Sequence, residues 1–298
     1  MDEFLQLLVA GLAVGFRFAL LALGFVVVFR ATGVLNLFQG GFVLLGAYLT
    51  YHLTQRAGLP FALAAVLGCG GCGLLGVLLE RTLLRRTVGY PLHAVVMITI
   101  GLLIVIEALV PAIWGYQPLN LGDPWGVETM TAAGLRVTVR DLWTIALAAS
   151  LLAGFFAFSH WTRYGLAMRA TAHDHEIASA HGISVRRMIA ISWAIAGVVG
   201  ALGGISFASG AAGVDPALGF VTFAALPAII LGGRDSPIGA VVGGLVIGVS
   251  QVLTAAYQPE HAPWLGTNFH TVMPYVVMLL LLGLRPHGLF GTPEAARP

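Results

Sequence analysis

The sequence predicts an all-α membrane protein, a polytopic helix bundle of eight to nine spans with one short or re-entrant segment. Of the 298 residues, 58% are hydrophobic and 9% are charged, whereas a soluble domain carries about 25% charged residues. Apolar windows long enough to cross the hydrocarbon, about 20 residues each, follow one another along the chain. This length supplies roughly eight to ten crossings, so we expect a single transmembrane domain over residues 1–298.

Nine apolar windows make up most of the chain. The seventh is short, contains Pro227 and ends at Gly232-Gly233, which predicts a broken or re-entrant helix. Eight full spans with a partial one, or nine spans, both fit this pattern. The windows are residues 4–29, 37–55, 61–79, 92–113, 141–160, 189–209, 219–232, 237–256 and 271–284.

The arginines predict the orientation, because positively charged loops stay on the cytoplasmic side of a membrane. With the N-terminus outside, eleven arginines fall in inner segments and three in outer loops, while Arg17 lies in a span. We therefore expect the N-terminus outside and the C-terminus inside. The inner arginines are 30, 81, 85, 86, 163, 169, 186, 187, 234, 285 and 297, and the outer ones are 56, 136 and 140.

The composition also disfavours several classes of function. All 15 basic residues are arginine, and a Walker-type phosphate loop needs a lysine, so any nucleotide that drives the protein is expected on another chain. A net charge of +2 with scattered arginines indicates no nucleic-acid partner. Cys69 and Cys72 lie in an apolar stretch, where small residues favour helix packing over redox or metal chemistry. We expect neither an enzyme nor a bound metal or cofactor.

Two connections are long, an outer loop at residues 114–140 and an inner loop at residues 161–187. In the outer loop, residues 135–139 alternate between apolar and polar side chains, which predicts a small hairpin that serves as a lid or docking surface. In the inner loop, Thr171 with Asp174 predicts a helix start and Gly182 a helix end. A helix of about ten residues is marginal alone in water, so it either docks against a partner or is a solvated connector. His173 and His175 are two residues apart and point to different sides of a helix, which disfavours a metal site.

Polar residues and glycines at the start of the second window are candidates for a transport path. Asn36 and Gln39 precede Gly40-Gly41, and such segments let backbone groups face a cavity or let helices pack tightly. Glycines recur late in the chain, at Gly239, Gly243, Gly244 and Gly248. Arg17 and Glu107 lie inside spans, where charges are costly unless they are paired or hydrated. They either pair with each other or line an aqueous vestibule, and for Arg17 we favour extension to the outer interface.

Three ordered motifs resemble the LivH-type permeases of branched-chain amino-acid ABC importers, over nearly the whole chain. The opening motif is residues 19–24, 33–37 and 46–48, and the middle motif is Tyr164 to Ala172 followed by Gly182-Ile183. The closing motif is Pro216, Gly219-Phe220, Leu231-Gly232-Gly233, Ser236-Pro237 and Gly239-Ala240. The chain departs from the family at Gln39-Gly40-Gly41, where members commonly carry a His-Gly-Glu-like stretch.

The resemblance implies the permease subunit of an ATP-driven importer in the bacterial inner membrane, for branched-chain amino acids or a related small polar solute. The implied partners are a second permease chain, two cytoplasmic ATPases that hold ATP and Mg, and a periplasmic binding protein. The implied ATPase-coupling residues are Thr171, Ala172, His173, Asp174, His175, Glu176, Ala178, His181 and Gly182. The expected path residues are Asn36, Gln39, Gly40, Gly41 and Glu107. The alternative is a stand-alone channel or ion-coupled carrier for a small solute such as urea or an amide.

Overall fold

The computed structural model describes residues 2–87, 90–125, 128–132, 135–210 and 213–291, so Arg297 lies outside the described residues. Within them the chain is almost entirely helical, with one antiparallel hairpin. The helices are α1 (Asp2–Thr32), α2 (Gln39–Tyr51), α3 (Phe61–Thr82), α4 (Leu92–Trp114), α5 (Val139–Trp161), α6 (Arg163–His173), α7 (His175–Ala180), α8 (Val185–Ala208), α9 (Val221–Ala224), α10 (Leu226–Gly232), α11 (Pro237–His261) and α12 (Phe269–Leu284). The strands are β1 (Thr129–Ala132) and β2 (Leu135–Thr138).

Six of these helices are long and apolar enough to cross a membrane, namely α1, α3, α4, α5, α8 and α11. Two shorter apolar segments, Pro216–Gly232 and Phe269–Leu284, accompany them. Helix α2 has 13 residues and continues into a π-helix, His52–Arg56. The predicted helical membrane bundle is therefore confirmed in its class, and the predicted hairpin is present, with Thr129 opposite Thr138.

The seventh apolar window is broken, as its proline and glycines predict. It consists of a 3-10 turn at Pro216–Phe220 followed by the short helices α9 and α10. Asp215 caps the turn, because its carboxylate accepts a hydrogen bond of 2.7 Å from the backbone N–H of Ala217. The segment ends at Gly233, whose φ of 103° is unfavourable for other residues. The segment is therefore a series of three short helical pieces rather than one continuous helix.

Helix α1 lies at the centre of the bundle and packs most closely on α11. The predicted small-residue face of α11 makes this contact, since a methyl group at Gly248 would overlap the backbone of Gly15. Leu20, Leu21 and Leu23 of α1 are fully buried. Because lipid gives helices no hydrophobic drive to associate, such close backbone approach is what van der Waals packing requires here.

Contacts between segments define two opposite ends of the bundle. At the first, the Nε2 atom of His175 lies 3.1 Å from the carbonyl oxygen of Ala31, and the N–H of Leu289 donates to the carbonyl of Leu231 at 2.8 Å. We call this the arginine-rich end. At the other, the hairpin end, the N–H of Gly210 donates to the carboxylate of Asp123 at 3.0 Å. The outer loop is anchored here, with the ring centroid of Trp125 5.1 Å from that of Phe61 and 6.0 Å from that of Trp143.

Candidate functional site

The inner loop folds into a short, separately capped helix at the arginine-rich end. Helix α7 begins after Asp174, whose carboxylate accepts hydrogen bonds from the N–H groups of Glu176 (2.8 Å) and Ile177 (2.9 Å). It ends at Gly182, which has a φ of 79°. The N–H of Ile183 donates to the carbonyl of Ala178 at 3.0 Å, the bond of a Schellman motif. Both caps are made by residues that directly flank the helix.

The predicted start of that helix at Thr171 is wrong. Thr171 is buried in the last turn of α6, where its hydroxyl donates to the carbonyl of Ala167 at 2.9 Å. Helix α6 is capped instead by Thr162, whose Oγ1 atom accepts from the N–H of Gly165 at 2.9 Å. The inner loop therefore contains two helices where one was predicted, because the extended backbone of Asp174 (φ −158°) interrupts it.

Helix α7 exposes most of its side chains and is held by few contacts. Ala178 is buried, whereas Glu176 and His181 are exposed. Ile177 is 58% exposed, and sequence reasoning missed it as a candidate. The sequence did contain a signal for it: a large apolar residue in a polar connecting loop has no lipid to cover it, which indicates a contact surface. The surface that α7 presents therefore combines Glu176 and His181 with one large apolar side chain, Ile177.

Two concavities border α7. The first, which we call the α7 cavity, has a volume of about 740 Å³ and lies between α7 and the nearby ends of α1, α3, α4 and α8. Predicted residues Asn36, His175 and Glu176 all line it. The second, the polar groove, measures about 860 Å³ and is bordered by Arg30, Asp235 and most of the predicted coupling residues, among them Thr171, Ala172, His173 and Asp174. The structure thus brings one predicted path residue, Asn36, next to the predicted coupling helix.

Asn36 and Gln39 are both buried, and each leaves one polar atom without a hydrogen-bond partner among the described residues. The Oδ1 atom of Asn36 accepts from the N–H of Phe38 at 3.1 Å, which leaves its Nδ2 atom unused. The amide of Gln39 donates to the carbonyl of Ala196 at 3.1 Å. Gln39 packs closely on Gly24 and Gly200, so it lies in the helix interface between α1, α2 and α8.

Gly40 and Glu107 meet the broken segment at one place. A methyl group at Gly40 would lie 2.6 Å from the carbonyl oxygen of Gly219, and one at Gly219 would lie 3.1 Å from Oε1 of Glu107. That Oε1 atom is buried and has no hydrogen-bond partner among the described residues. Gly41 instead packs against the ring of Phe38. A carboxylate oxygen at membrane depth without a donor is costly unless water, a cation or another chain meets it.

Arg17 pairs with Asp141 and not with Glu107, so the mutual pairing considered for Arg17 and Glu107 is wrong, while the favoured extension of Arg17 to the outer interface stays a prediction. It is 8% exposed, and its Nη2 atom lies 3.1 Å from Oδ1 of Asp141 at the start of α5. The other oxygen of Asp141 accepts from Thr138 at 2.5 Å. Asp141 was missed because it stands at the edge of its window, where a carboxylate is unremarkable without knowledge of the neighbouring helix.

Comparison with known proteins places these features in context. A family model described as "Branched-chain amino acid transport system / permease component" matches residues 7–282. LivH, the high-affinity branched-chain amino acid transport system permease protein of Salmonella typhimurium, is 26% identical over 99% of this chain and 97% of its own length. BraD, the corresponding protein of Pseudomonas aeruginosa, is 26% identical over 99% of this chain and 98% of its own. The solved structure of PsaBC from Streptococcus pneumoniae in complex with Fab gives a TM-score of 0.49 at 15% identity, over 94% of this chain and 91% of that chain.

Proposed function

The chain belongs to the branched-chain amino acid transport permease family, and from this premise we infer that it carries branched-chain amino acids or a related small polar solute across the bacterial inner membrane. It is the membrane-spanning permease of an ABC transporter rather than an enzyme. The observation that supports this reading best is the capped helix α7, which presents an exposed isoleucine at the arginine-rich end.

We propose nine crossings with the N-terminus outside and the C-terminus inside. Helices α1, α2 with its π-helix, α3, α4, α5, α8, the broken segment, α11 and α12 each run between the two ends. The contacts of Ala31, His175 and Leu231 support this count, since they assign alternate loops to the arginine-rich end. The arginine excess of that end supports its cytoplasmic location.

Helix α7 is proposed as the coupling helix that docks on a cytoplasmic ATPase. A helix of six residues lacks stability of its own, and here two caps preserve it while it buries little against the bundle. Two ATPase chains would bind ATP and Mg and would displace α7 as they close. The polar groove, which contains Arg30 and Asp235, lies beside α7 and offers charged groups to such a partner.

The proposed path runs beside Asn36, Gln39, Gly40, Gly41 and Glu107. Glu107 supports this path most strongly, because its half-buried carboxylate on α4 lies next to the irregular backbone of Gly219. Irregular backbone at membrane depth is tolerated where it is buried in protein or lines a water-filled cavity. A second permease chain over this face of α4 would enclose the path and remove the carboxylate from lipid.

Replacing Glu107 by glutamine is expected to reduce uptake of an amino acid about tenfold, which corresponds to about 1.4 kcal/mol. The amide keeps the shape of the side chain but loses the charge that attracts an ammonium group. The measurement is the initial rate of leucine uptake into proteoliposomes that contain the assembled transporter. Glu260→Gln, an exposed glutamate on α11, is the matched control, and equal rates for both variants would contradict a path role for Glu107.

The outer loop is proposed as the docking surface for a periplasmic binding protein. Trp125 anchors the loop against Phe61 and Trp143, and Met130 of the hairpin is 49% exposed. A fixed loop with exposed apolar and polar side chains suits a transient protein contact, in which little ordering entropy is lost.

The experiment that tests the function is uptake by the chain reconstituted with the ATPase, permease and binding-protein candidates encoded beside it. We expect leucine, isoleucine or valine to accumulate only when ATP is enclosed with the ATPase side. Uptake of urea or an amide that proceeds without ATP or the binding protein would instead establish the channel or carrier alternative.

A further inference from the structure

The α7 cavity is lined by both polar and apolar side chains. Among the polar ones, Glu80 is 2% exposed and is held by Arg85 through hydrogen bonds of 2.9 and 3.3 Å. Asn36, which is 1% exposed, contributes an amide whose nitrogen has no partner among the described residues. A buried amide donor without a partner costs free energy unless a ligand or water accepts from it. Glu80, Arg85 and Asn36 thus bring a carboxylate, a guanidinium and an amide into the lining of one cavity.

The apolar part of the lining includes Val28, Val95, Ile189 and Trp193. The volume of about 740 Å³ falls within the range of small-molecule sites, which are mostly apolar with a few convergent polar groups. Charges of both signs together with branched aliphatic and aromatic side chains in one lining suit a zwitterion that carries a short aliphatic side chain. A leucine-sized molecule with some water fits this space.

Helix α7 forms part of the same cavity through His175, Glu176 and Ser179. It contacts the end of α1 through the 3.1 Å approach of His175 to the carbonyl oxygen of Ala31. A ligand that touches both α7 and the bundle therefore adds contacts between them. Because α7 buries only Ala178 in the bundle, such contacts are a large addition to what restrains it.

We propose that the α7 cavity is a cytoplasmic binding site for an aliphatic amino acid, and that its occupancy restrains α7 and slows ATP hydrolysis by the partner. The inference rests on the proposed function, because the regulated step is the coupling of α7 to the ATPase. By linkage, a ligand that favours the restrained position of α7 is itself bound more tightly in that position. The transported solute would thus limit its own import once it accumulates inside.

The first experiment measures binding to the permease alone, in lipid nanodiscs, with radiolabelled leucine as the probe. We expect saturable binding in which leucinamide, which lacks the carboxylate, and 4-methylpentanoate, which lacks the ammonium group, compete at least tenfold less well. Ile189→Trp fills the cavity and should abolish binding. Ile191→Trp is the matched control, since Ile191 stands on the same helix but borders a separate apolar hollow beside α5.

A second variant tests the same site without the bulky tryptophan, which could itself cause misfolding. Glu80→Gln combined with Arg85→Gln removes both charges together, so that neither partner of this ion pair is left unpaired. We expect leucine to bind at least tenfold more weakly. Three outcomes would each overturn the proposal. The wild type could show no saturable binding, or the Ile189 and Ile191 variants could bind leucine equally well. The bound label could also be displaced by short-chain phosphatidylglycerol but not by unlabelled leucine.

The second experiment measures ATP hydrolysis by the assembled transporter with leucine on the ATPase side. We expect several-fold slower hydrolysis in the wild type and in Ile191→Trp, and no leucine effect in Ile189→Trp. If leucine binds in the cavity but no ATPase assembles on α7, the coupling proposal fails and the regulatory part of this inference falls with it. If transport runs normally and leucine does not bind in the cavity, this inference alone is wrong.

Discussion

Replacing Ile177 by aspartate is expected to weaken binding of the partner ATPase at least 100-fold. Burying an isoleucine side chain contributes about 1.5–3 kcal/mol, and each 1.4 kcal/mol changes affinity about tenfold. Aspartate loses that burial and adds a carboxylate that must shed water. Because Ile177 is 58% exposed in the free chain, the substitution removes little from the permease itself. The measurement is the affinity of purified permease for its ATPase, followed by the rate of ATP hydrolysis.

Met130→Asp is the matched control for this prediction. Met130 is also apolar and 49% exposed, but it stands in the hairpin at the opposite end of the bundle. The Met130→Asp substitution should leave the affinity of the permease for the ATPase unchanged. If both aspartate variants bind the ATPase as the wild type does, α7 is a solvated connector and the coupling proposal is wrong.

The geometry of α7 provides an independent check on the same prediction. Gly182 has a φ of 79° and no neighbouring atom that would meet a side chain, so a substitution there acts through backbone strain alone. Gly182→Val, a β-branched residue that disfavours this conformation, should disturb the end of α7. Asparagine adopts a positive φ more readily than valine does. The Gly182→Asn variant should therefore bind the ATPase more tightly than the Gly182→Val variant.

Asp141→Leu is expected to cost about 3–5 kcal/mol of stability, because it leaves the buried guanidinium of Arg17 without its partner. Arg17 is 8% exposed and its contact with Asp141 is 3.1 Å. A charge within the membrane is costly when it is uncompensated. The measurement is the midpoint of thermal unfolding in detergent, together with the yield of folded protein.

A double variant distinguishes loss of the pair from loss of the aspartate alone. Arg17→Met combined with Asp141→Leu removes both charges, and we expect it to recover most of the lost stability, as for other buried ion pairs. Arg140→Met is the control for a neighbouring charge, since the side chain of Arg140 is 27% exposed and lies 3.6 Å from Asp141. A double variant as unstable as Asp141→Leu would show that Asp141 acts through Thr138 or the helix start instead.

Local signals in the sequence predicted features that depend on near neighbours. Gly182 was predicted to end a helix and does so, because a left-handed residue is required wherever the chain leaves a helix in a Schellman motif. Thr171 was assigned as a helix start and is not one, although its residue type permits it. Asp174, three residues on, makes the capping bonds. Both residues suit a cap, and the sequence does not show which one has the extended backbone.

The sequence did not show which charged residues pair with each other. Arg17 and Glu107 were recognised as unusual, but the partner of Arg17 is Asp141, 124 positions away. The choice depends on α1 packing beside the start of α5. The same applies to Asn36, which the sequence marked as polar at a membrane entry point but which only the fold brings to a cavity shared with α7.

The sequence by itself determined the membrane class, the order of the apolar segments, the break in the seventh and the end of the capped helix at Gly182. Hydropathy and capping act over a few consecutive residues, so they can be read along the chain. The tertiary structure alone decided that Arg17 pairs with Asp141, that Gly219 lies against Glu107, and that α7 borders a cavity of about 740 Å³. These depend on which helices are neighbours, and helix neighbours in a membrane are chosen by close packing of distant small residues, which a linear pattern does not specify.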